Sequence, residues 1–203
     1  MIDTLFTIGY SGFKIIDFLS TLKMHNITLV VDVRSLPYSQ YYSDYNKEKL
    51  SAILNSSGIY YRNYILEFGA RQEDKHYYPN GYLDFEMFSK SKNFITGVDK
   101  LKKAMEQDYS FALMCSEKDP INCHRAILVS RAFHKAGYQV VHLLPDGKTT
   151  TQSELEERLL NIFFPERNQI NLFLPNLTTE EYIVEAYKKQ NEKIGYSMEV
   201  ESE

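Results

Sequence analysis

The sequence contains no tryptophan, only two cysteines, and no apolar stretch near the roughly 18 residues that a membrane-spanning helix needs. Two cysteines cannot build the disulfide framework of a small secreted domain. The first residues also lack the basic and apolar segments of a signal peptide. We therefore expect a cytoplasmic protein with no membrane partner, in which both thiols stay reduced.

An excess of positive charge is also missing, because the formal net charge is −4. Proteins that coat nucleic acid usually present a broad basic surface, so the net charge argues against this class of protein. It does not exclude a local basic pocket. We find no internal repeat and no low-complexity tract. Tyrosine, in contrast, is abundant, with 16 residues. Many of these tyrosines stand in polar stretches, where they either line a cleft or are ordinary half-buried side chains.

Short apolar runs alternate along the chain with segments that have apolar residues at helical spacing. The runs that predict strands are residues 5–8, 27–33, 59–64, 110–115 and 139–143. The segments that predict helices between and after them are 13–23, 47–56, 93–106, 123–136, 154–163 and 178–190. Alternation of this kind indicates βαβ units. The predicted fold class is therefore α/β, a three-layer arrangement of a mostly parallel sheet with helices on both faces.

The chain divides into two parts in this interpretation. Residues 1–165 are predicted to form the α/β domain that holds the site. Residues 166–203 are predicted to form a C-terminal extension that is partly helical and ends in an acidic, frayed segment.

Polar residues follow four of the predicted strands, at 9–12, 32–34, 115–117 and 145–148. Ligands of open parallel sheets bind beyond the carboxyl ends of the strands, so we expect one cleft there. Arg34 either faces a ligand or pairs with Asp32, whose burial in a strand is costly without a partner. The residues assigned to substrate or anion binding are Arg34, Arg125, Tyr10, Ser39 and Arg71.

The segment CSEKDPINCHRAILVSRAF is the most informative, since a strand leads through a polar loop into a helix. With Asn122 as the N-cap, Cys123, His124 and Arg125 fall in the first helical turn, where free N–H groups and the helix dipole favour an anion. A thiol in that turn should ionise readily. Arg125 then either clamps a phosphate or carboxylate with two hydrogen bonds or pairs with a nearby acidic residue.

Four residues are the catalytic candidates: Glu117, Cys115, Cys123 and His124. Glu117 is a general acid, a base or a nucleophile, or it only orients an arginine. Cys115 is either reactive or a small core residue. Cys115, Cys123 and His124 form a weaker alternative as metal ligands, because their spacing matches no strong zinc signature. No metal is therefore assigned, and the sequence specifies neither a cofactor nor an oligomeric state.

Several segments in order resemble the bacterial and archaeal family of domain of unknown function 488. They are TIGYSG at the start, VDVR-x-x-P-x-S, G-I-x-Y at residues 58–61, and C-S-E…P-x-x-C-H-R, and the resemblance runs from Thr7 to about Gly147. Two positions depart from it: Gln40 stands where the family often has Arg, and residues 67–70 replace a Leu-Gly-Gly run. The resemblance implies the fold and the place of the site, and no reaction.

Three functions remain open from the sequence. The first is an enzyme that acts on a phosphate-bearing substrate, a nucleotide or a nucleic acid, with tyrosines such as Tyr10 and Tyr38 stacking on a base. The second is sulfur or phosphate transfer through cysteine, as in rhodaneses and cysteine phosphatases, although nine residues separate Cys115 from Arg125 instead of five. The third is a non-catalytic module that binds a nucleotide or another anion. Fold alone does not choose between them.

Overall fold

The computed structural model describes residues 4–167 and 177–198. A six-stranded sheet forms its centre. The strands are β1 (Thr4–Gly9), β2 (Leu29–Asp32), β3 (Tyr60–Asn63), β4 (Phe111–Cys115), β5 (Gln139–Leu143) and β6 (Thr149–Thr151). Their order across the sheet is β3-β2-β4-β1-β5-β6. All neighbouring strands are parallel except β5 and β6. The prediction of a mostly parallel sheet is confirmed, and the short antiparallel edge strand β6 is an addition.

The first six helices lie between these strands along the chain, and the last two follow β6. They are α1 (Ile15–Met24), α2 (Lys47–Ser56), α3 (Ile65–Phe68), α4 (Phe85–Ser89), α5 (Lys92–Glu106), α6 (Arg131–Lys135), α7 (Gln152–Phe163) and α8 (Thr179–Ile194). A π-helical segment, Arg125–Ser130, leads directly into α6. Where the chain is described, none of the helices is both long enough and apolar enough to span a membrane.

Helices cover both faces of the sheet because alternate residues of each buried strand point to opposite sides. Ala112 and Met114 of β4 face the core under α1 and α2. Leu113 and Cys115 face the other core, which includes the π-helical segment, α5, α7 and α8. The three-layer α/β fold is thus as predicted.

The helix α8, which belongs to the predicted C-terminal extension, packs into the second of these cores. The Gln190 side chain donates to the Ile121 carbonyl at 2.8 Å, and the Asn191 side chain donates to the Leu83 carbonyl at 2.9 Å. An isolated bridge between Tyr82 and Ser197 then fixes the chain after α8. Most of the predicted frayed end lies outside the described residues.

Candidate functional site

Three adjacent strands, β2, β4 and β1, carry their carboxyl ends to the same place, with β4 in the middle. The connection after β1 leaves on one face of the sheet and the connection after β4 on the other, the arrangement that opens a crevice in α/β folds. A cleft of about 250 Å³ lies there. Its lining residues are Tyr10, Arg34, Ser35, Leu36, Tyr38, Ala70, Arg71, Cys115, Ser116, Glu117, His124 and Tyr196.

Gly9 at the end of β1 allows the loop after β4 to reach this cleft. A Cβ atom on Gly9 would lie 1.8 Å from the Glu117 carbonyl oxygen, a distance that no side chain tolerates. The loop is held against β1 by a hydrogen bond of 3.0 Å from the Ser11 N–H to the Ser116 carbonyl. The absence of a side chain at Gly9 therefore decides where Glu117 lies.

Arg34 is buried beside Asp32, with which it forms an ion pair of 2.6 Å between Nη2 and Oδ2. Its Nε donates to the same carboxylate and its Nη2 also donates to the Tyr45 carbonyl. The guanidinium lies 5.2 Å from the centre of the Tyr10 ring. Burial acts to lower the pKa of Arg34, but the hydrogen bonds and charge of Asp32 raise it, so the side chain stays charged. The remaining nitrogen, Nη1, is buried and has no hydrogen-bond partner among the described residues.

The position of the Arg125 side chain differs from the prediction that it faces the cleft. It is completely buried and is not among the lining residues. Its Nη1 donates to the Glu117 carbonyl at 2.7 Å, its Nη2 to the Lys118 carbonyl at 3.4 Å, and its Nε to Thr7 Oγ1 at 3.4 Å. These acceptors turn the guanidinium toward β1 and the loop, so in this structure Arg125 holds the loop in place.

The predicted start of the helix also shifts. Asn122 is not an N-cap, because it ends a 3₁₀ turn, Pro120–Asn122, whose own cap is Asp119. Cys123 follows with an extended backbone, and its carbonyl accepts from the Ile127 N–H at 3.0 Å. Cys123 therefore precedes the first turn instead of belonging to it, and its thiol points inward.

The four catalytic candidates, Glu117, Cys115, Cys123 and His124, lie close together around the floor of the cleft. Cys123 Sγ lies 2.8 Å from Glu117 Oε2, and Cys115 Sγ lies 3.8 Å from His124 Nδ1. The other ring nitrogen of His124, Nε2, is 2.9 Å from the Val33 carbonyl. A carbonyl only accepts, so Nε2 carries the proton, and the lone pair of a neutral ring sits on Nδ1, facing Cys115.

Burial and close neighbours shift the pKa values of this cluster. Burial would raise the pKa of Glu117, but the hydrogen bond from Cys123 and the charge of His124 lower it to about 2. Burial, together with Cys123, raises the pKa of Cys115. Burial also opposes ionisation of Cys123, yet the hydrogen bond with Cys115 and the charge of Arg125 lower its pKa. Burial lowers the pKa of His124, and the neighbouring Cys123 and Glu117 more than compensate. Glu117 is thus ionised, and Cys123 is the thiol that ionises first.

The remaining predicted binding residues fall into two groups. Tyr10 and Arg71 line the cleft, and the Arg71 guanidinium lies 4.5 Å from the centre of the Tyr196 ring. Ser39 is not a lining residue: its Oγ accepts from the Tyr42 N–H and shapes the turn. Residues 145–146 line a separate depression with Lys118, Asp119, Leu144 and Arg158.

Sequence reasoning did not include Tyr196 or Ser116 in the site. Tyr196 reaches the cleft because its carbonyl accepts from the Leu83 N–H at 2.9 Å, a contact across more than a hundred residues. No local pattern signals such a contact. Ser116 stands between Cys115 and Glu117, and its place in the polar segment 115–117 at the strand end was the available signal.

Comparison with known proteins agrees with the resemblance in the motifs. The family described as Domain of unknown function DUF488 matches residues 14–132, more than half of the chain. No curated protein and no solved structure is similar enough to match. The matched residues contain Arg34, Arg71 and the whole Cys115–Arg125 loop, whereas Tyr10 and Tyr196 of the cleft lie outside them. Because the match covers more than half of the sequence, the chain belongs to the DUF488 family.

Proposed function

We propose that this protein is an enzyme that acts on a phosphate-bearing substrate, a nucleotide or a nucleic-acid end, in the cleft beyond β2, β4 and β1. One observation carries the proposal: Arg34 lines the cleft, and its Nη1 is a buried charged donor that has no hydrogen-bond partner in the part of the chain that the structure describes. An unpaired buried donor costs about 1–3 kcal/mol, and an anionic oxygen in the cleft removes that cost.

Arg71 and the tyrosines at the rim support the same substrate class. Arg71 is exposed, and within the described residues it forms no ion pair, so its charge is available to a second phosphate oxygen. Tyr38 is 62% exposed at the rim and offers a free ring face for a base. Tyr10, in contrast, is 4% exposed and its ring stacks on Tyr45 at 4.5 Å, so it supports Arg34 instead of a base.

Glu117 is the general base of this proposal. It lines the cleft as a carboxylate and is held from both sides, by Ser116 Oγ at 2.8 Å and by Cys123 Sγ. A carboxylate fixed next to an anion site is placed to take a proton from an attacking water or hydroxyl. We place the reaction in the cytoplasm, where Cys115 and Cys123 stay reduced.

A cysteine-dependent transferase is the second candidate, and the contact between Cys115 and His124 favours it. His124 Nδ1 is a base 3.8 Å from a thiol that lines the cleft. In that case Cys115 is the attacking atom and is alkylated by iodoacetamide, with loss of turnover.

The test combines calorimetry with turnover assays. Inorganic phosphate and nucleoside mono- and diphosphates are titrated into the wild type, Arg34→Lys and the control Arg62→Gln, whose side chain is exposed outside the cleft. Lysine keeps the ion pair with Asp32 but has one nitrogen in place of the forked guanidinium, so the unpaired donor Nη1 is lost. We expect Arg34→Lys to bind about 10–150-fold more weakly, which corresponds to roughly 1.5–3 kcal/mol, and Arg62→Gln to bind as the wild type does.

Turnover separates an enzyme from a binding module. The bound nucleotide is recovered after incubation and examined by chromatography, with Glu117→Gln in parallel. Conversion by the wild type, and binding without conversion by Glu117→Gln, is the expected result. Recovery of unchanged ligand from the wild type supports a binding module, and equal affinity of a folded Arg34→Lys refutes the anion site.

A further inference from the structure

The floor of the cleft contains three groups that the proposed acid–base chemistry does not use, Cys115, Cys123 and His124. Their ligand atoms, the two Sγ atoms and one ring nitrogen, all lie within 4.8 Å of one another. All three residues are buried. They come from two places in the chain, the end of β4 and the residues just before the π-helical segment, so the fold and not a local motif brings them together.

From this geometry we infer a metal site in which Cys115, Cys123 and His124 bind one soft divalent ion, with Zn²⁺ as the best match. Thiolate and imidazole are the ligands that Zn²⁺ prefers. In a tetrahedral zinc site, the metal–ligand distances put sulfur and nitrogen about 3.6 Å apart and two sulfurs about 3.8 Å apart. The observed 3.8 Å between Cys115 Sγ and His124 Nδ1 fits that spacing.

The hydrogen bond from His124 to Val33 is a second, independent observation for this site. Nε2 is 2.9 Å from the Val33 carbonyl, so it holds the proton and leaves the Nδ1 lone pair toward the two sulfurs. Histidine ligands of metals nearly always have such an outer partner, which fixes the tautomer and the ring direction.

Electrostatics around the cluster also fits a cation. Glu117 Oε2 lies 2.8 Å from Cys123 Sγ, so a carboxylate borders the three ligand atoms and can take a fourth position or hold a bound water. Cys115, Glu117 and His124 line the cleft, whereas Cys123 lies beneath it. An ion on the three ligands therefore has its remaining position toward the cleft, as in catalytic rather than structural zinc sites.

Metal binding does not depend on the proposed function, but it would deepen it. An ion facing the cleft can polarise a phosphoryl oxygen or lower the pKa of a bound water to about 7. It would also make the two thiols ligands instead of nucleophiles. The cysteine-dependent transferase and the metal site thus make opposite predictions for the same two side chains.

Co²⁺ titration of the full chain tests the site, because the absorption spectrum of bound Co²⁺ depends on its ligands and their geometry. The protein is treated with a chelator, kept reduced, freed of chelator and titrated while its absorption spectrum is recorded. We expect saturation at one Co²⁺ per chain, with the intense visible bands of a tetrahedral ion, a near-ultraviolet thiolate-to-cobalt band, and displacement by Zn²⁺. No thiolate band in the wild type would overturn the inference, and this readout needs no variant.

Variants then identify the ligands. Cys115→Ser, Cys123→Ser and His124→Asn should each weaken Zn²⁺ binding by more than about 100-fold, beyond the loss that follows removal of an outer partner. His76→Asn, an exposed histidine outside the cluster, is the matched control and should bind as the wild type does. Circular dichroism checks that each variant is folded. Unchanged affinity in a folded Cys115→Ser would contradict the site.

The metal site and the proposed function can be refuted independently of each other. Arg34→Lys should lose phosphate affinity and keep the cobalt spectrum, since Arg34 is not a ligand. Phosphate binding without a thiolate–cobalt band leaves the proposed function in place and removes the metal. A thiolate–cobalt band without binding of any phosphate compound supports the metal site and refutes the proposed function.

Discussion

Arg34 and Arg125 are two buried arginines at the same edge of the sheet, and they differ in what their nitrogens contact. Arg34 is 4% exposed and Arg125 is 0% exposed, so burial does not separate them. Every nitrogen of the Arg125 guanidinium has an acceptor within 3.4 Å, two of which are backbone carbonyls. Arg34 pairs with Asp32, and among the described residues its Nη1 has no hydrogen-bond partner. The difference in unpaired donors, and not charge or burial alone, is what makes Arg34 the candidate for binding a ligand and Arg125 a residue that holds the loop.

The largest expected effect comes from removing the structural arginine. Arg125→Met keeps much of the apolar volume but leaves the Glu117 carbonyl and Thr7 Oγ1 without their donor. Hydrogen bonds to charged groups are worth about 1.5–3 kcal/mol, so we expect the free energy of unfolding to fall by about 3 kcal/mol. Urea unfolding measures the loss. Phosphate affinity of the folded variant should stay within about twofold of the wild type.

The exposed Arg62 provides the control, since Arg62→Met should change stability by less than about 0.5 kcal/mol. If Arg125→Met keeps its stability and loses phosphate binding, the assignment of different roles to Arg34 and Arg125 is wrong. That result would give Arg125 the ligand role that the sequence predicted.

The sequence predicts the fold well because the four inner strands β1, β2, β4 and β5 are mainly apolar runs with their own boundary signals, whereas the short polar edge strand β6 has no such pattern. Residues 110–115, for example, are predicted as a strand, and the structure has Phe111–Cys115. The sequence predicts the contents of the cleft less completely. Arg125 follows Cys123 and His124 in a segment typical of an anion site, but its acceptors are carbonyls of a loop whose path depends on Gly9. Backbone acceptors do not show in a sequence, and neither does the distant contact that places Tyr196.

A buried polar chain continues from the Arg125 side into the core. Thr7 Oγ1 is 2.7 Å from His142 Nδ1, and His142 Nε2 is 2.9 Å from Gln152 Oε1. The carbonyl oxygen of Gln152 accepts, so Nε2 carries the proton and Thr7 donates to Nδ1. Burial and the positive charge of Arg125 lower the pKa of His142 to about 3. The imidazole is therefore neutral in the folded protein.

Stability should fall in mild acid because of His142. Below the ordinary pKa of about 6.5, the unfolded chain binds a proton there that the folded chain does not bind until about pH 3. Between pH 7 and pH 5 this difference lowers the free energy of unfolding by about 2 kcal/mol. We expect His142→Asn to show a shallower loss over that range in urea unfolding. An equal slope in wild type and variant would mean that His142 is protonated in the fold and that the chain from Arg125 is not as described.

The smallest expected effect lies on the Arg34 side, at the tyrosine that holds its carboxylate partner. Tyr61 is 7% exposed, and its hydroxyl donates to Asp32 Oδ2 at 2.6 Å. Burial and the charge of Asp32 raise the pKa of Tyr61, so it remains a donor at any pH of interest. Removing the hydroxyl takes one charged hydrogen bond from Asp32 but leaves the bonds from Arg34.

We therefore expect Tyr61→Phe to lower the free energy of unfolding by about 1.5 kcal/mol, the lower end for a hydrogen bond to a charged group. Tyr60→Phe is the matched control on the same strand, because the Tyr60 side chain is 53% exposed, and its effect should be within about 0.5 kcal/mol.

A double-mutant cycle of Tyr61→Phe with Arg34→Lys tests whether Arg34 and Arg125 belong to separate hydrogen-bond networks. Both side chains bind one carboxylate, so the two stability losses should be non-additive. Coupling between Tyr61→Phe and Arg125→Met should be absent, since those two share no partner. If Tyr61 couples to Arg125 and not to Arg34, the two arginines do not belong to separate networks, and the division between ligand-binding and structural arginine fails.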